Sequence, residues 1–289
     1  MAQPLLPDSL RYAFQQATAD SVKFKVSRAI YTFYEETNRD SALHYASFRY
    51  ELAKKYKRHL EEAYTQGQVA YQQIYLGRFS EALTNLTEAI QIATDSKEAD
   101  TWELTPFPGP GKNRLITLSM LNHMYGHLKL QTGSTESLHY FKEGRRIGLE
   151  ARNDFRVTVG DMVLATNYLL LKQPDSALLY AREGERYSKQ GGVNKYLAYI
   201  WSVMGDIYRG KGNDSLALYY YHQSLQMGHA TGNFTSVAGT FEKLITYYME
   251  RNKADSVLHY ASINLPAIKS LGAVTSFVAS EVNLGKAFQ

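Results

Sequence analysis

A seven-residue phrase recurs along the chain and constrains its fold more than any other feature. It reads Asp-Ser-Ala-Leu-His-Tyr-Ala at residues 40–46, and close copies stand at 175–181 and 255–261. Weaker copies occur near residues 79, 136 and 214. The six copies can be aligned on the small or β-branched residue that opens the second helix, such as Ala42 in the first copy. These residues fall at positions 42, 82, 137, 177, 217 and 257, so all intervals but one are 40 residues long. Repeats of this length are typical of stacked helical hairpins.

The one irregular interval is 55 residues long, which equals one period plus 15 residues. It predicts an insertion between two repeats, with edges near residues 95 and 113. Trp102 and Phe107 are the apolar side chains of this segment, and alternating Pro and Gly make it rich in turns. We expect a loop that packs on its own hairpin; the alternative is a lid or partner contact, for which Trp102 and Phe107 are the candidate residues.

Local signals place the helix boundaries. The Asp-Ser dipeptide predicts a helix start, because a short polar oxygen can accept a hydrogen bond from the first turn and the carboxylate meets the positive end of the helix dipole. Gly77 and Gly212 fit the turn inside a hairpin, where a backbone that can adopt positive φ is useful.

Composition excludes several classes of function. The net charge of +4 comes with scattered Lys and Arg, so no basic stripe indicates a nucleic-acid partner. Cysteine is absent, which removes disulfides and thiolate chemistry. Four histidines recur near the starts of second helices, but neighbouring repeats lie about 10 Å apart, too far for shared metal ligation. We find no nucleotide, metal or hydrolase motif, so we expect no cofactor, no metal and no catalytic residue.

The segment 201–212 resembles the tetratricopeptide repeat (TPR) almost position by position. In that motif Trp201, Met204 and Tyr208 would form the inner face of the first helix. Gly205, Ala217 and Ser224 would be the small residues where the two helices cross. Two hairpins depart from the pattern: Arg49 stands at a small-residue position, and in the third hairpin Tyr125 takes the place of the small residue.

The resemblance implies an all-α fold, a right-handed superhelical solenoid of TPR-like helical hairpins with a 40-residue period in place of the usual 34. We expect five segments: an N-terminal helical cap at 1–22, repeats 1 and 2 at 23–94, the inserted loop at 95–113, repeats 3 to 6 at 114–277, and the first helix of a truncated seventh repeat at 278–289.

In TPR proteins the first helices line a concave groove that binds extended peptides, and the resemblance implies a protein or peptide partner here. The Lys/Asn/Arg clamp that some members use has no counterpart in adjacent repeats. Tyrosines at groove positions could equally pack between hairpins. The candidate groove residues are Tyr31, Tyr34, Tyr64, Tyr71, Tyr75, Asn122, Tyr199, Asp206 and Arg209.

The spacing and the repeated phrase resemble the sensory TPR regions of Bacteroidetes two-component histidine kinases and related regulators. The resemblance implies a non-catalytic sensory domain of a signal-transduction protein, periplasmic, and tied to a membrane only by a segment outside this chain. The alternative is a stand-alone TPR scaffold that assembles partner proteins, which would also suit the cytoplasm. Self-association remains open as a third kind of contact.

Overall fold

The computed structural model describes residues 6–96 and 112–271, and for residues 265–271 only the course of the backbone. The described residues are helical throughout, with no strand among them. The helices are α1 Asp8–Gln16, α2 Asp20–Tyr34, α3 Arg39–Lys55, α4 His59–Tyr75, α5 Phe79–Asp95, α6 Asn113–Gln131, α7 Ser137–Glu150, α8 Asp154–Leu170, α9 Pro174–Gly191, α10 Asn194–Gly210, α11 Asp214–Thr231, α12 Phe234–Met249 and α13 Ala254–Leu271.

From α2 onwards the helices alternate as first and second members of hairpins. The second helices α3 and α5 begin at residues 39 and 79, and α9, α11 and α13 begin at 174, 214 and 254, so the predicted 40-residue period is confirmed. Gly77 and Gly212 have φ angles of 75° and 71°, which L side chains rarely adopt and glycine adopts freely. Both glycines therefore form the turns predicted for them.

Two compact units divide the chain, one reaching from residue 5 to Gly160 and the other beginning at Asp161. We call them the N-terminal unit and the C-terminal unit. The division falls inside α8. The predicted insertion lies almost wholly outside the described residues, as do Trp102, Phe107 and the segment 278–289, and the predicted segment boundaries stay predictions.

The helix caps differ from the prediction. The Asp-Ser dipeptide lies inside the first turn, and in α3 and α11 the capping oxygen comes from an asparagine before it. Asn38 Oδ1 accepts from the Ser41 N–H at 2.9 Å, and Asn213 Oδ1 accepts from the Leu216 N–H at 3.1 Å. The aspartates remain in the first turn, where the dipole favours them. In these two helices the dipeptide marks the helix start through charge while asparagine supplies the cap, whereas the N-cap residue of α9, Gln173, makes no side-chain cap hydrogen bond.

Close helix crossings depend on single glycines. A Cβ at Gly205 of α10 would lie 2.4 Å from the Tyr221 ring of α11, and one at Gly126 of α6 would lie 2.6 Å from the Phe141 ring of α7. Gly126 is therefore the small residue of the third hairpin, and the prediction that Tyr125 replaces it was wrong by one residue. The turn between α6 and α7 differs in length from its equivalents, which shifts the register.

Tyrosine pairs join the two helices of most hairpins. In the C-terminal unit the three pairs have ring centroids 5.4 Å apart and nearly parallel planes. Each pair takes one ring from the first helix and one from the second. The pairs are Tyr34–Tyr45, Tyr125–Tyr140, Tyr168–Tyr180, Tyr208–Tyr220 and Tyr248–Tyr260.

The second hairpin uses amides where the others use tyrosines. Its first helix, α4, is buried on nearly all sides, and the buried residues include four glutamines. A buried amide needs hydrogen-bond partners, and neighbouring helices supply them. The partners are Asn85 and Glu88 for Gln66, Arg49 for Gln68, Tyr31 and Arg39 for Gln72, and Asn85 and Glu81 for Gln73.

The packing of Arg49 shows how a long side chain fits at a position where a small residue was expected. Arg49 is only 1% exposed, donates to Gln68 and stacks 4.7 Å from the centroid of Phe24. Burial lowers the pKa of its guanidinium to about 10. The guanidinium thus packs as a flat group between α2 and α4.

Candidate partner-binding faces

The first helices α10 and α12 of the C-terminal unit pack against each other and present charged residues on one surface. We call this surface the α10–α12 face and define it by Asp206, Arg209, Lys243 and Glu250. Two of these residues belong to each helix or its C-terminal cap. Ion pairs join the helices: Asp206 Oδ2 lies 2.6 Å from Lys243 Nζ, and Arg209 Nη1 lies 3.8 Å from Glu250 Oε1.

Asp206 is held from below by a buried tyrosine. The hydroxyl of Tyr221 donates to Asp206 Oδ1 at 2.6 Å, and the Tyr221 side chain is fully buried. Burial, and then the neighbouring Asp206 charge, raises the pKa of Tyr221 well above its usual range, so the phenol stays protonated as a donor. With Lys243 on its other oxygen, the Asp206 carboxylate has a fixed orientation.

Arg209 is held much more loosely. Within the described part of the chain its guanidinium has no hydrogen-bond acceptor, and its Nη1 atom is buried. The nearest carboxylate, Glu250, lies beyond hydrogen-bond distance and is also 3.6 Å from Arg251 Nη1. Arg251 is itself bonded to both oxygens of Asp214, at 2.5 and 3.0 Å.

Tyr199 lies in the second turn of α10 and makes a hydrogen bond to another residue of the fold. Its hydroxyl donates to Asn233 Oδ1 at 3.2 Å. That oxygen also caps α12 by accepting from the Ser236 N–H, and the Asn233 amide donates to the Lys195 carbonyl. Tyr199 therefore helps to fix the start of α12 relative to α10.

In the N-terminal unit, two tyrosines that were predicted to line the groove lie beside an arginine and a histidine. We call Arg39, Tyr71, Tyr75 and His127 the aromatic cluster. The Arg39 guanidinium lies 4.3 Å from the Tyr75 ring centroid and 5.6 Å from that of Tyr71, within range of a cation–π interaction. The Tyr75 hydroxyl lies 3.3 Å from His127 Nδ1, and Gln72 accepts from Arg39 at 3.1 Å.

Two histidines of α6 are neutral at ordinary pH. Burial, with the Arg39 charge second, lowers the pKa of His127 to about 4. Burial, with Arg156 second, lowers the pKa of His123 to about 3. His123 fills the space left by Gly144 and Gly160, since a Cβ at either would lie within 3.0 Å of its ring. It packs inside the fold, and the described residues contain no cluster of His, Asp and Glu that could hold a metal ion.

The remaining predicted groove residues lie elsewhere. Tyr31 is 2% exposed and Tyr64 is 8% exposed, so both rings pack in the interior. Tyr34 is half-buried and stacks on Tyr45. The Asn122 amide donates to the Leu118 carbonyl of its own helix at 2.8 Å. Whether any of these residues binds a partner stays a prediction.

The sequence reading missed Arg39, His127, Lys243 and Glu250. The period did not indicate Lys243 or Glu250, because adding 40 to the predicted positions 206 and 209 gives Thr246 and Met249. His127 was missed because the register of α6 was set one residue out. Arg39 begins a second helix, where no groove residue was sought.

Comparison with known proteins supports the helical-repeat fold. Residues 8–100, which contain α1 to α5, match the family model of the SusR N-terminal TPR domain. No curated protein matches the sequence. Among the described residues, no helix has the length and apolar character required to cross a membrane.

Several solved structures share the fold. BtubC (BKLC) from P. vanneervenii is 14% identical with a TM-score of 0.60, over 82% of this chain and 94% of that one. A Rap protein complexed with competence and sporulation factor is 16% identical with a TM-score of 0.64, over 92% and 66%. A STAND protein with a tetratricopeptide repeat sensor, from Pyrococcus horikoshii, is 14% identical with a TM-score of 0.60, over 97% and 45%. The described chain has the fold of TPR-type helical repeat proteins.

Proposed function

We propose that this chain is a non-catalytic binding module that recognises a protein or peptide through the faces of its first helices. We further propose that it is the sensory part of a signal-transduction protein. TPR-type helical repeats are generally protein-interaction domains, and stacked repeats present extended surfaces for that purpose.

The α10–α12 face carries the proposal. A binding surface needs polar groups that are positioned in advance and still reachable. Asp206 meets this requirement, because the buried Tyr221 hydroxyl orients its carboxylate while the Asp206 side chain is still 16% exposed. Arg209 is 27% exposed and would give up no hydrogen bond to the described residues on meeting a partner.

Two relatives in fold support the sensory part of the proposal. One is a Rap protein in complex with competence and sporulation factor, and another carries a TPR sensor in a signal-transduction ATPase. A two-component sensor kinase with this chain in the periplasm is the context that we propose, on the strength of the repeated phrase. The domain order of the full gene tests it: a transmembrane segment and kinase motifs beyond this chain are expected.

A peptide array tests the binding function. Arg209→Ala and Tyr71→Ala should each weaken peptides that the parent chain binds. Arg186→Ala is the matched control, because Arg186 is an exposed arginine on the second helix α9. It is ion-paired with Glu183, three residues away, and lies against Tyr187. Peptides that bind equally well to the parent chain, both test variants and the control would place the binding surface elsewhere and contradict the proposal.

A further inference from the structure

We propose that Arg209 reads a carboxylate on the partner, and that Glu250 occupies this arginine in the unbound protein as an internal competitor. The inference rests on the proposed binding function and adds the chemistry of the partner: an acidic peptide. It follows from the way in which the charges of the α10–α12 face are paired.

Arg209 is the cation of this face that lacks a hydrogen-bonded counter-ion. Lys243 is bonded to Asp206 at 2.6 Å, and the neighbouring Arg251 is bonded to both oxygens of Asp214. The Arg209 guanidinium makes no hydrogen bond to any described residue, although its Nη1 is buried. A buried donor without an acceptor is unfavourable, so a carboxylate that takes the place of Glu250 and bonds to this atom would gain free energy.

Glu250 is poorly suited to be the permanent partner of Arg209. Its carboxylate is shared between Arg209 at 3.8 Å and Arg251 at 3.6 Å, and neither distance allows a strong hydrogen bond. Its side chain is 51% exposed. It also stands at the C-terminal cap of α12, where the helix dipole disfavours a negative charge. A carboxylate that approaches Arg209 in the plane of the guanidinium would form two hydrogen bonds and replace it.

The carboxylate can come from an Asp or Glu side chain or from the C-terminus of a peptide. Both sources present the same planar group to the fork of the guanidinium. An array therefore needs short acidic peptides in matched versions: with acidic residues or their Asn and Gln isosteres, and with a free or an amidated C-terminus. Binding that follows the side chains or the terminus identifies the source.

The decisive variant is Glu250→Gln, because a gain of affinity cannot arise from damage to the fold. We expect acidic peptides to bind about two- to fivefold more tightly to it than to the parent chain, which is the range of a single exposed ion pair. The neutral isosteres should show no change. Arg209→Gln should weaken the acidic peptides about tenfold or more.

Glu150→Gln is the matched control. Glu150 is 52% exposed, is paired with Arg146 at 3.1 Å and lies on the second helix α7, so this variant should bind every peptide like the parent. If acidic peptides bind but Glu250→Gln leaves them unchanged or weaker, the competitor inference is overturned while the binding function stands. If no peptide of any version binds, both are overturned.

Discussion

The contact between Gly205 and Tyr221 gives the most direct test of how this repeat is packed. A Cβ at position 205 would lie 2.4 Å from two ring carbons of Tyr221 and 3.0 Å from a third. Ordinary contacts between carbon atoms are 3.5–4.0 Å, so Gly205→Ala forces the ring to move by on the order of 1 Å. The ring cannot yield freely, because it is fully buried and its hydroxyl is bonded to Asp206.

The expected magnitude follows from two opposed effects. Overpacking a filled core costs about 1–3 kcal/mol, and the anchored ring puts this site near about 3 kcal/mol. Alanine in place of glycine in a helix stabilises by about 1 kcal/mol. Gly205→Ala should therefore lower the free energy of unfolding by about 2 kcal/mol. Gly239 of α12 offers the control, since nothing lies within 4 Å of a Cβ there, and Gly239→Ala should raise stability by about 1 kcal/mol.

Urea unfolding followed by circular dichroism measures both variants. Tyr221→Leu added to Gly205→Ala removes the obstructing ring, so the double variant should be more stable than the sum of the single effects predicts. The reasoning is refuted if Gly205→Ala is as stable as Gly239→Ala, because the glycine would then have no steric role.

Three further outcomes are expected. The pKa of His127 is about 4 in the folded chain and about 6.5 when unfolded. The unfolded chain takes up the proton first, so the free energy of unfolding falls by about 2.6 kcal/mol between pH 6.5 and 4. His127→Gln should reduce this loss in urea titrations at the two pH values, and His44→Gln, an exposed control, should not. Tyr221→Phe removes the hydrogen bond to Asp206 and should cost about 2 kcal/mol in the same assay; an unchanged midpoint would show that the bond adds nothing. Ser224 is buried and donates to the Ala198 carbonyl at 2.7 Å, so Ser224→Ala should lower the thermal midpoint, by about 1 kcal/mol in stability, and a rise would contradict the role of this bond.

Periodicity made the fold accessible from sequence. The phrase at Asp40 and its copies marks the second helix of each hairpin, because each repeat packs against similar neighbours. Gly77, Gly205 and Gly212 were identifiable because glycine adopts a positive φ or allows a close helix crossing at the least cost, although Lys172 and Asn252 adopt a positive φ at the positions equivalent to Gly212.

The binding faces were harder to predict from the sequence, because an error of one residue in the register changes which side chains lie on a given face of a helix. One residue rotates a side chain by about 100° around a helix, so the shifted register of α6 selected Asn122 and passed over His127. The prediction that Tyr31 lies in the groove also depends on which side of its helix faces the neighbouring helix. Tyr31 is buried against Ala42 and Ala46 of α3, where the small residues belong to the second helix.

The glutamines of α4 bear on how such an array can evolve. The tyrosine pairs of the C-terminal unit are alike, so a hairpin such as α10–α11 carries its own complementary surface and is suited to duplication. Gln66, Gln68, Gln72 and Gln73 are each matched to particular residues on α2, α3 or α5. A copy of α4 inserted elsewhere would bury these amides without partners, at about 1–3 kcal/mol each. The second hairpin is therefore bound to its place in the order of repeats by the partners of its buried amides.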